Sequence, residues 1–388
     1  MNGARTRGQP AALEAVSAMV AGTPPHAVLL SGPEGVGKTT LALDLAAGLL
    51  CTAEDPAARP CRECRACRMV EHGNHPDLHW LQPEGPGGQI VIGGPDARYR
   101  GVRDIIAELA LLPVEGGARL AILERADRMN EDAQSALLKT LEEPPAGVTI
   151  VLCANDEEQL LPTVRSRCAR IRLGPVGARA VEEILAEHGL ADAPTAARLG
   201  RLAGGRPGLA IAYARVPEAT SVRAELARAL LDLVDARPSK RLEQLRSLVP
   251  RASELGSLLA RGGQSLDETT LPDPPADAPN AGSESPAAED GARRVPAAER
   301  RRAAAMLIAV WVDVARDLAL VAAGERAALR DPALLEEYEA IARDVPPHEV
   351  AWFIGRLGRG GELLEVNVAP ELLLDSLVLA WPTRARAA

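Results

Sequence analysis

The sequence predicts a parallel, doubly wound α/β domain followed by a largely helical second half. Three observations predict it. Residues 26–32, HAVLLSG, are a short apolar run entering a glycine-rich turn, and KTTLALDLAAGLL (38–50) then has helical spacing. Apolar runs at 118–124 (ARLAILE) and 148–155 (VTIVLCAN) alternate with helical patterns, as a parallel sheet with crossover helices requires. From 221 the spacing is helical: Val222, Leu226, Leu230 and Val234, then Leu242, Leu245 and Leu248.

The elements between follow in order. DLHWL (77–81) and QIVIG (89–93) are expected to be short strands. GVRDIIAELALL (101–112) is an expected amphipathic helix stopped by Pro113. Asn130 is placed to cap the next helix, with Glu131 and Asp132 in the first turn, where the helix dipole favours acids. Leu137, Leu138 and Leu141 form its apolar face, and Pro144-Pro145 ends it. After about residue 176, ARAVEEILAEHG and TAARLGRLAGG are short helices separated by Gly and Pro. The expected organisation is an α/β domain over 1–175 with a cysteine module at about 51–80, a helical lid over 176–215, and helices over 216–262 and 296–388.

Composition bounds the rest. Of 388 residues 47% are apolar and only 2% aromatic, so the cores are expected to be built from Ala, Leu and Val. Net charge is −9, but the stretch 263–292 carries seven acids and no Lys or Arg, which leaves −2 for everything else. That stretch also holds five prolines, so 263–295 is read as a disordered acidic linker. A nearly neutral remainder neither supports nor excludes a nucleic-acid partner. No apolar run reaches the ~18 residues that span a membrane, and no signal-peptide pattern is present. The expected location is the cytoplasm.

Three motifs carry chemistry. Gly32, Gly37, Lys38 and Thr39 fit G-x-x-x-x-G-K-[ST], with Gly35 inside the loop and Thr40 after it. Backbone N–H groups of such a loop, with the following helix N-terminus, cradle phosphates. The lysine reaches the outer phosphates and the hydroxyl joins a magnesium shell. Cys51, Cys61, Cys64 and Cys67 suit a closed tetrahedral zinc site, which has no open position for water and is therefore structural. His72, His75 and His79 follow closely and are alternative ligands. Cys153 and Cys168 are isolated and read as packed thiols. Finally, LAILERAD (120–127) is a buried strand ending in a charged tip, where a P-loop ATPase usually has Asp-Glu. Here Glu124 keeps a carboxylate for magnesium, while Arg125 stays protonated and cannot act as a base. Asp127 lies two residues further on and is read as pointing elsewhere.

Taken in order, these pieces resemble the clamp-loader branch of the AAA+ ATPases over roughly residues 8 to 215. SALLKTLEEPP (135–145) followed by Ser166-Arg167-Cys168 is very specific to that branch. The resemblance implies a P-loop NTPase domain with a helical lid and an all-α collar. It puts Gly8-Gln9 near the adenine, Asn155 at the sensor-one polar position, and Arg167 as a finger for a neighbour's γ-phosphate, with Arg165 and Arg170 as fallbacks. Implied cofactors are ATP and Mg2+, beside the Zn2+ of the cysteine module. Implied partners are gamma/tau-type motor and delta-type subunits in a hetero-oligomeric ring, the sliding clamp, and primed DNA through the complex, with no membrane. Motor subunits of this family carry a lid arginine; GGRPGLA (204–210) places Gly208 there, with Arg206 followed by Pro207. With Glu124-Arg125, this departure resembles the family's stationary subunit, which hydrolyses ATP poorly. An active motor, or a P-loop small-molecule kinase, remains open as an alternative.

Overall fold

The computed structural model describes all residues except 2, 116, 264–295, 366–367 and 385–388. The acidic segment expected at 263–295 therefore lies, beyond Gly263, outside the described residues. Among the described residues the chain divides into two compact units, one holding Met1–Ile184 with Gly205–Gly208, the other Leu185–Gly204, 209–263 and the helices from Ala297 onward.

The first unit is built in the order α1 (Pro10–Ala21), β1 (Ala27–Ser31), α2 (Lys38–Leu50), α3 (Arg65–Glu71), β2 (Leu78–Leu81), α4 (Val102–Leu109), β3 (Arg119–Leu123), α5 (Glu131–Glu142), β4 (Val148–Ala154), α6 (Pro162–Arg165) and β5 (Ala169–Arg172). The five strands form one sheet in the order β2-β3-β4-β1-β5, every pairing parallel. Both faces are covered. Val28 and Leu30 pack with Leu41 and Leu45 in one core, while Ala27 and Leu29 pack with Ile105 and Leu137 in the other. This two-sided burial is why the strands read as unbroken apolar runs rather than alternating ones.

Two expectations are corrected. QIVIG forms no strand: Ile90 makes a single bridge to Met129, and Gly93 and Gly101 pack backbone to backbone, which bends the segment away from a ladder. The helix before Pro113 ends at Leu109, not Leu112. Pro113 disfavours the helical region for the residue before it, so the helix stops early. Asn130 caps α5 as expected, its side chain accepting from Ala133 N at 2.9 Å.

The chain continues through α7 (Ala178–Glu187), α8 (Ala193–Leu202), α9 (Pro207–Arg215), α10 (Pro217–Asp232), α11 (Pro238–Gly263), α12 (Ala297–Ala322), α13 (Leu335–Ala342), α14 (Pro347–Glu365) and α15 (Pro370–Ala380). Within the second unit, α10 to α15 form a helical bundle. Its core is less aliphatic than composition suggests: Trp311, Phe353 and Trp381 meet with ring centroids 4.7–5.5 Å apart. Buried Arg223 bridges Asp313 at 3.0 Å and Asp331 at 3.3 Å. Arg241, 2% exposed, donates to the carbonyls of Val234, Ala236, Val378, Trp381 and Pro382 and so closes the C-terminal end of α15. Among the described residues no helix is long and apolar enough to cross a membrane.

Candidate nucleotide site and cysteine cluster

The phosphate-binding loop leaves the end of β1, the strand flanked by both β4 and β5. Gly32 has φ +149, and a Cβ there would stand 2.1 Å from Leu173 O, so only glycine lets the two strand ends run side by side. Gly37 is left-handed and opens α2, and a Cβ on it would meet empty space. The loop therefore presents bare backbone to a concavity at a helix N-terminus, the arrangement an anion requires.

Lys38 Nζ lies at the centre. It donates to Gly32 O at 2.7 Å, Pro33 O at 2.9 Å and Asn155 Oδ1 at 2.8 Å. Burial holds its pKa below the usual lysine value; Cys153, Asp127 and Glu34 oppose the shift and Arg125 adds to it. Asn155, just past β4, thus meets Lys38 directly. Thr39 and Thr40 follow in the first turn of α2, both half-buried.

The tip of β3 departs from expectation. Arg125 adopts φ +52, one of two non-glycine residues with positive φ among those described. A left-handed non-glycine residue costs roughly 1–2 kcal/mol. That turn leads into a short 3₁₀ segment, Ala126–Arg128, and carries Asp127 back toward the loop: Asp127 Oδ1 accepts from Asn155 N at 2.8 Å. Asp127, read from sequence as pointing elsewhere, is therefore part of the Lys38 neighbourhood. The signal that could have found it is the chain reversal at Arg125. Glu124 lies half-buried and accepts from Gln82 Nε2 at 3.2 Å. Arg125 itself stands 3.8 Å from Glu34 Oε1 of the loop and 3.9 Å from Asp127 Oδ2.

On another side of the loop, Gly208 N donates to Gly35 O at 2.8 Å, and a Cβ at 208 would press to 3.1 Å from Gly35 Cα. The place of the motors' lid arginine, read from the sequence as Gly208, touches the loop through bare backbone. Gly8 is left-handed and packs on Val176, and Gln9 Nε2 donates to Gly174 O at 2.6 Å. These two residues line an open groove of about 480 Å³ with Thr6, Arg7 and Pro10.

Arg167 lies in the turn after α6, about one-third exposed, paired with Glu142 Oε1 at 2.5 Å and donating to Thr163 O at 2.9 Å. Arg165 pairs with Glu158, and Arg170 is exposed on β5.

The four cysteines converge: the sulfurs of Cys51, Cys61, Cys64 and Cys67 all lie within 4.8 Å of one another. Backbone N–H groups point at them, from Ala53 and Cys61 to Cys51, from Cys64 to Cys61, and from Cys67 to Cys64, at 3.4–3.5 Å. Such donors favour thiolates, the ligand form a metal needs. Burial pushes the Cys64 thiol up, but N–H donors from Cys67 and Thr52 with side-chain partners outweigh it and hold it at about 6. The donor set fits zinc. The alternative histidines are engaged elsewhere: His75 Nδ1 accepts from Asp77 N at 3.1 Å, and His79 Nδ1 lies 2.8 Å from Glu108. Among the described residues, His72 does not join the cluster either. Cys153 and Cys168 are raised by burial, to about 12 and about 11, as inert packed thiols are.

Residues 8–177 match the family model described as DNA polymerase III, delta subunit. Over that stretch, somewhat under half of the chain, the sequence is similar to this family. DNA polymerase III subunit delta' of Pseudomonas aeruginosa is 40% identical over 47% of this chain and 53% of the relative. That of Bacillus subtilis is 36% identical over 45% of this chain and 49% of the relative. DNA polymerase III subunit tau of Salmonella typhimurium is 34% identical over 45% of this chain and 26% of its own length. The matched stretch spans about half the length of these two delta' relatives. The α/β unit joins a five-stranded parallel sheet to a phosphate-binding loop at the end of β1, and a helical region follows it.

Proposed function

We propose that this chain is a delta'-like subunit of the DNA polymerase III clamp loader, one that binds ATP, hydrolyses it slowly, and completes the site of a neighbouring gamma/tau-type motor subunit. Its partners on this reading are motor and delta-type subunits in a ring, the sliding clamp, and primed DNA reached through the complex, all in the cytoplasm. Residues 1–175 are then the nucleotide domain, 176–215 its lid, and 216–262 with 296–388 the collar.

The observation that carries the reading is an intact phosphate cradle beside a cation where a hydrolytic carboxylate belongs. Lys38, the loop amides and Thr39 hold phosphates. Glu124 and Thr39 are the groups to hold magnesium, whose chemistry is to neutralise phosphate charge. Gly8 and Gln9 border the base, and Asn155 positions Lys38. Arg125, always protonated, takes no proton from water. Cys51, Cys61, Cys64 and Cys67 hold zinc in a structural role.

Arg167 is the residue proposed to act in trans. Its ion pair with Glu142 is half-exposed, and such pairs are worth only ~0–1 kcal/mol. The guanidinium is therefore free to meet a phosphate on a neighbour, where it stabilises transition-state charge. The test is a reconstituted ring carrying Arg167→Ala in this chain alone. The ring should assemble, while DNA-stimulated hydrolysis and clamp loading fall. Unchanged hydrolysis and loading by the assembled ring would refute the finger.

A second reading, an active motor, draws support from the tau relative and from the Asp127 carboxylate near Lys38. Robust turnover by the isolated chain, abolished by Lys38→Ala, would favour it.

A further inference from the structure

We infer that Arg125 is itself a ligand for the outer phosphates of the nucleotide bound in the same chain, so that the site holds a nucleoside triphosphate with little need of magnesium. The inference rests on the nucleotide reading above and assigns a role to a residue that reading uses only as an absence.

Four observations support it. The Arg125 side chain, about one-third exposed, reaches the phosphate loop: its guanidinium lies 3.8 Å from Glu34, the second residue after Gly32. Neither carboxylate near it is at hydrogen-bond distance, since Asp127 stands 3.9 Å from Nε. Arg125 Nε is buried and has no hydrogen-bond partner. Buried donors are normally satisfied, and one left open beside an anion cradle points to an acceptor that arrives with a ligand. Lastly, the left-handed backbone at Arg125 is an unfavourable conformation for arginine, and such outliers gather at ligand clamps.

Two cations, Lys38 and Arg125, stand among the carboxylates at the loop. The groups facing Lys38 are Glu34, Asp127, Cys153 and Arg125. Gly208 brings no charge from its side. Lys38 Nζ is held by three loop and Asn155 oxygens, and Arg125 is a second cation beside it with donors that can reach a polyphosphate. A guanidinium fork meets phosphate oxygens in pairs and does so without a metal. It occupies the electrostatic role that magnesium otherwise plays between phosphate oxygens.

The experiment is calorimetric titration of the full chain with ATP and with ADP, each in excess magnesium and in EDTA. Arg125→Gly deletes the charge and suits the left-handed turn; Arg125→Lys keeps the charge and loses the fork; Lys38→Ala controls for the cradle. Wild type should bind ATP with an affinity that changes only a few-fold between magnesium and EDTA. Arg125→Gly should weaken ATP roughly tenfold or more in EDTA, with magnesium restoring part of the loss, since a charge-assisted hydrogen bond is worth about that much. Arg125→Lys should fall between, and ADP should lose less than ATP. A merely structural role for Arg125 would lower melting temperature without creating magnesium dependence. Arg125→Gly binding ATP like wild type in both buffers, while Lys38→Ala fails, would overturn the inference and leave the nucleotide reading standing. Absence of ATP binding by wild type would overturn both.

Discussion

Arg62 reaches out of the cysteine loop to the fully buried carboxylate of Asp44 on α2. The same carboxylate accepts from Arg5 N at 2.9 Å, Thr6 N at 2.9 Å and Thr6 Oγ at 2.7 Å. One acid on the helix that follows the phosphate loop thus ties the thiol cluster to the N-terminal segment leading into Gly8 and Gln9. Arg62 lies between Cys61 and Cys64 and itself has φ +60, so its aim depends on the loop being closed.

Removing the metal should therefore loosen more than the cysteine loop. Cys64→Ser is expected to lose its roughly one equivalent of zinc, since structural sites contribute on the order of 10 kcal/mol to local folding. It should also raise hydrogen exchange at Arg5 and Thr6. Metal analysis with exchange mass spectrometry checks both; full zinc occupancy in Cys64→Ser, or unaltered exchange at residues 5–6 after zinc loss, would defeat this coupling.

Lys38→Ala should abolish measurable ATP binding by the isolated chain, because its ammonium organises Gly32 O, Pro33 O and Asn155 as well as meeting phosphate. Steady-state phosphate release by the wild type should be far below that of a motor subunit. Equilibrium titration and a phosphate assay on one preparation decide it.

His75 predicts a pH dependence. Burial pulls its pKa below the ordinary histidine value, more than Glu115 and Asp77 raise it, and Nδ1 must stay unprotonated to accept from Asp77 N. The folded pKa lies below the unfolded one, so the unfolded chain binds more protons. The contribution is present above about pH 6.5 and is lost as pH falls below that value. Melting temperature should drop between pH 7.5 and pH 5.5, and His75→Gln should flatten part of that slope; an identical slope in the variant would count against His75.

Arg241→Met keeps volume but leaves the carbonyls of Val378, Trp381 and Pro382 without donors inside the bundle. A buried neutral acceptor left without a donor costs about 1–3 kcal/mol. Chemical denaturation should show the helical bundle losing that much while zinc content stays at wild-type level.

How much of this was legible in the sequence depended on packing. Strands β1, β3 and β4 are buried on both faces and announced themselves as apolar runs. The edge strand β5 did not: in ARIR only Ile171 is buried, and the exposed Arg170 and Arg172 mark an edge that charge protects from further pairing. The four sulfurs were predictable from spacing. The exclusion of His75 and His79 was not, because their partners Asp77 and Glu108 are set by tertiary packing. Asp127 was in plain view, but its approach to Lys38 depends on a left-handed turn at an arginine, which no propensity favours.

The sheet order also dictates a timetable for synthesis. Val28 pairs with Val151 on one side and Ala169 on the other, so the strand made first acquires its neighbours last. At roughly 5–20 residues per second, the ribosome delivers those partners on the order of ten seconds after β1. During that interval Ala27–Ser31 emerges as an unpaired apolar segment, the kind of surface that recruits holding chaperones. Leu173, whose carbonyl lies against Gly32 at the start of the phosphate loop, is made later still, after β5.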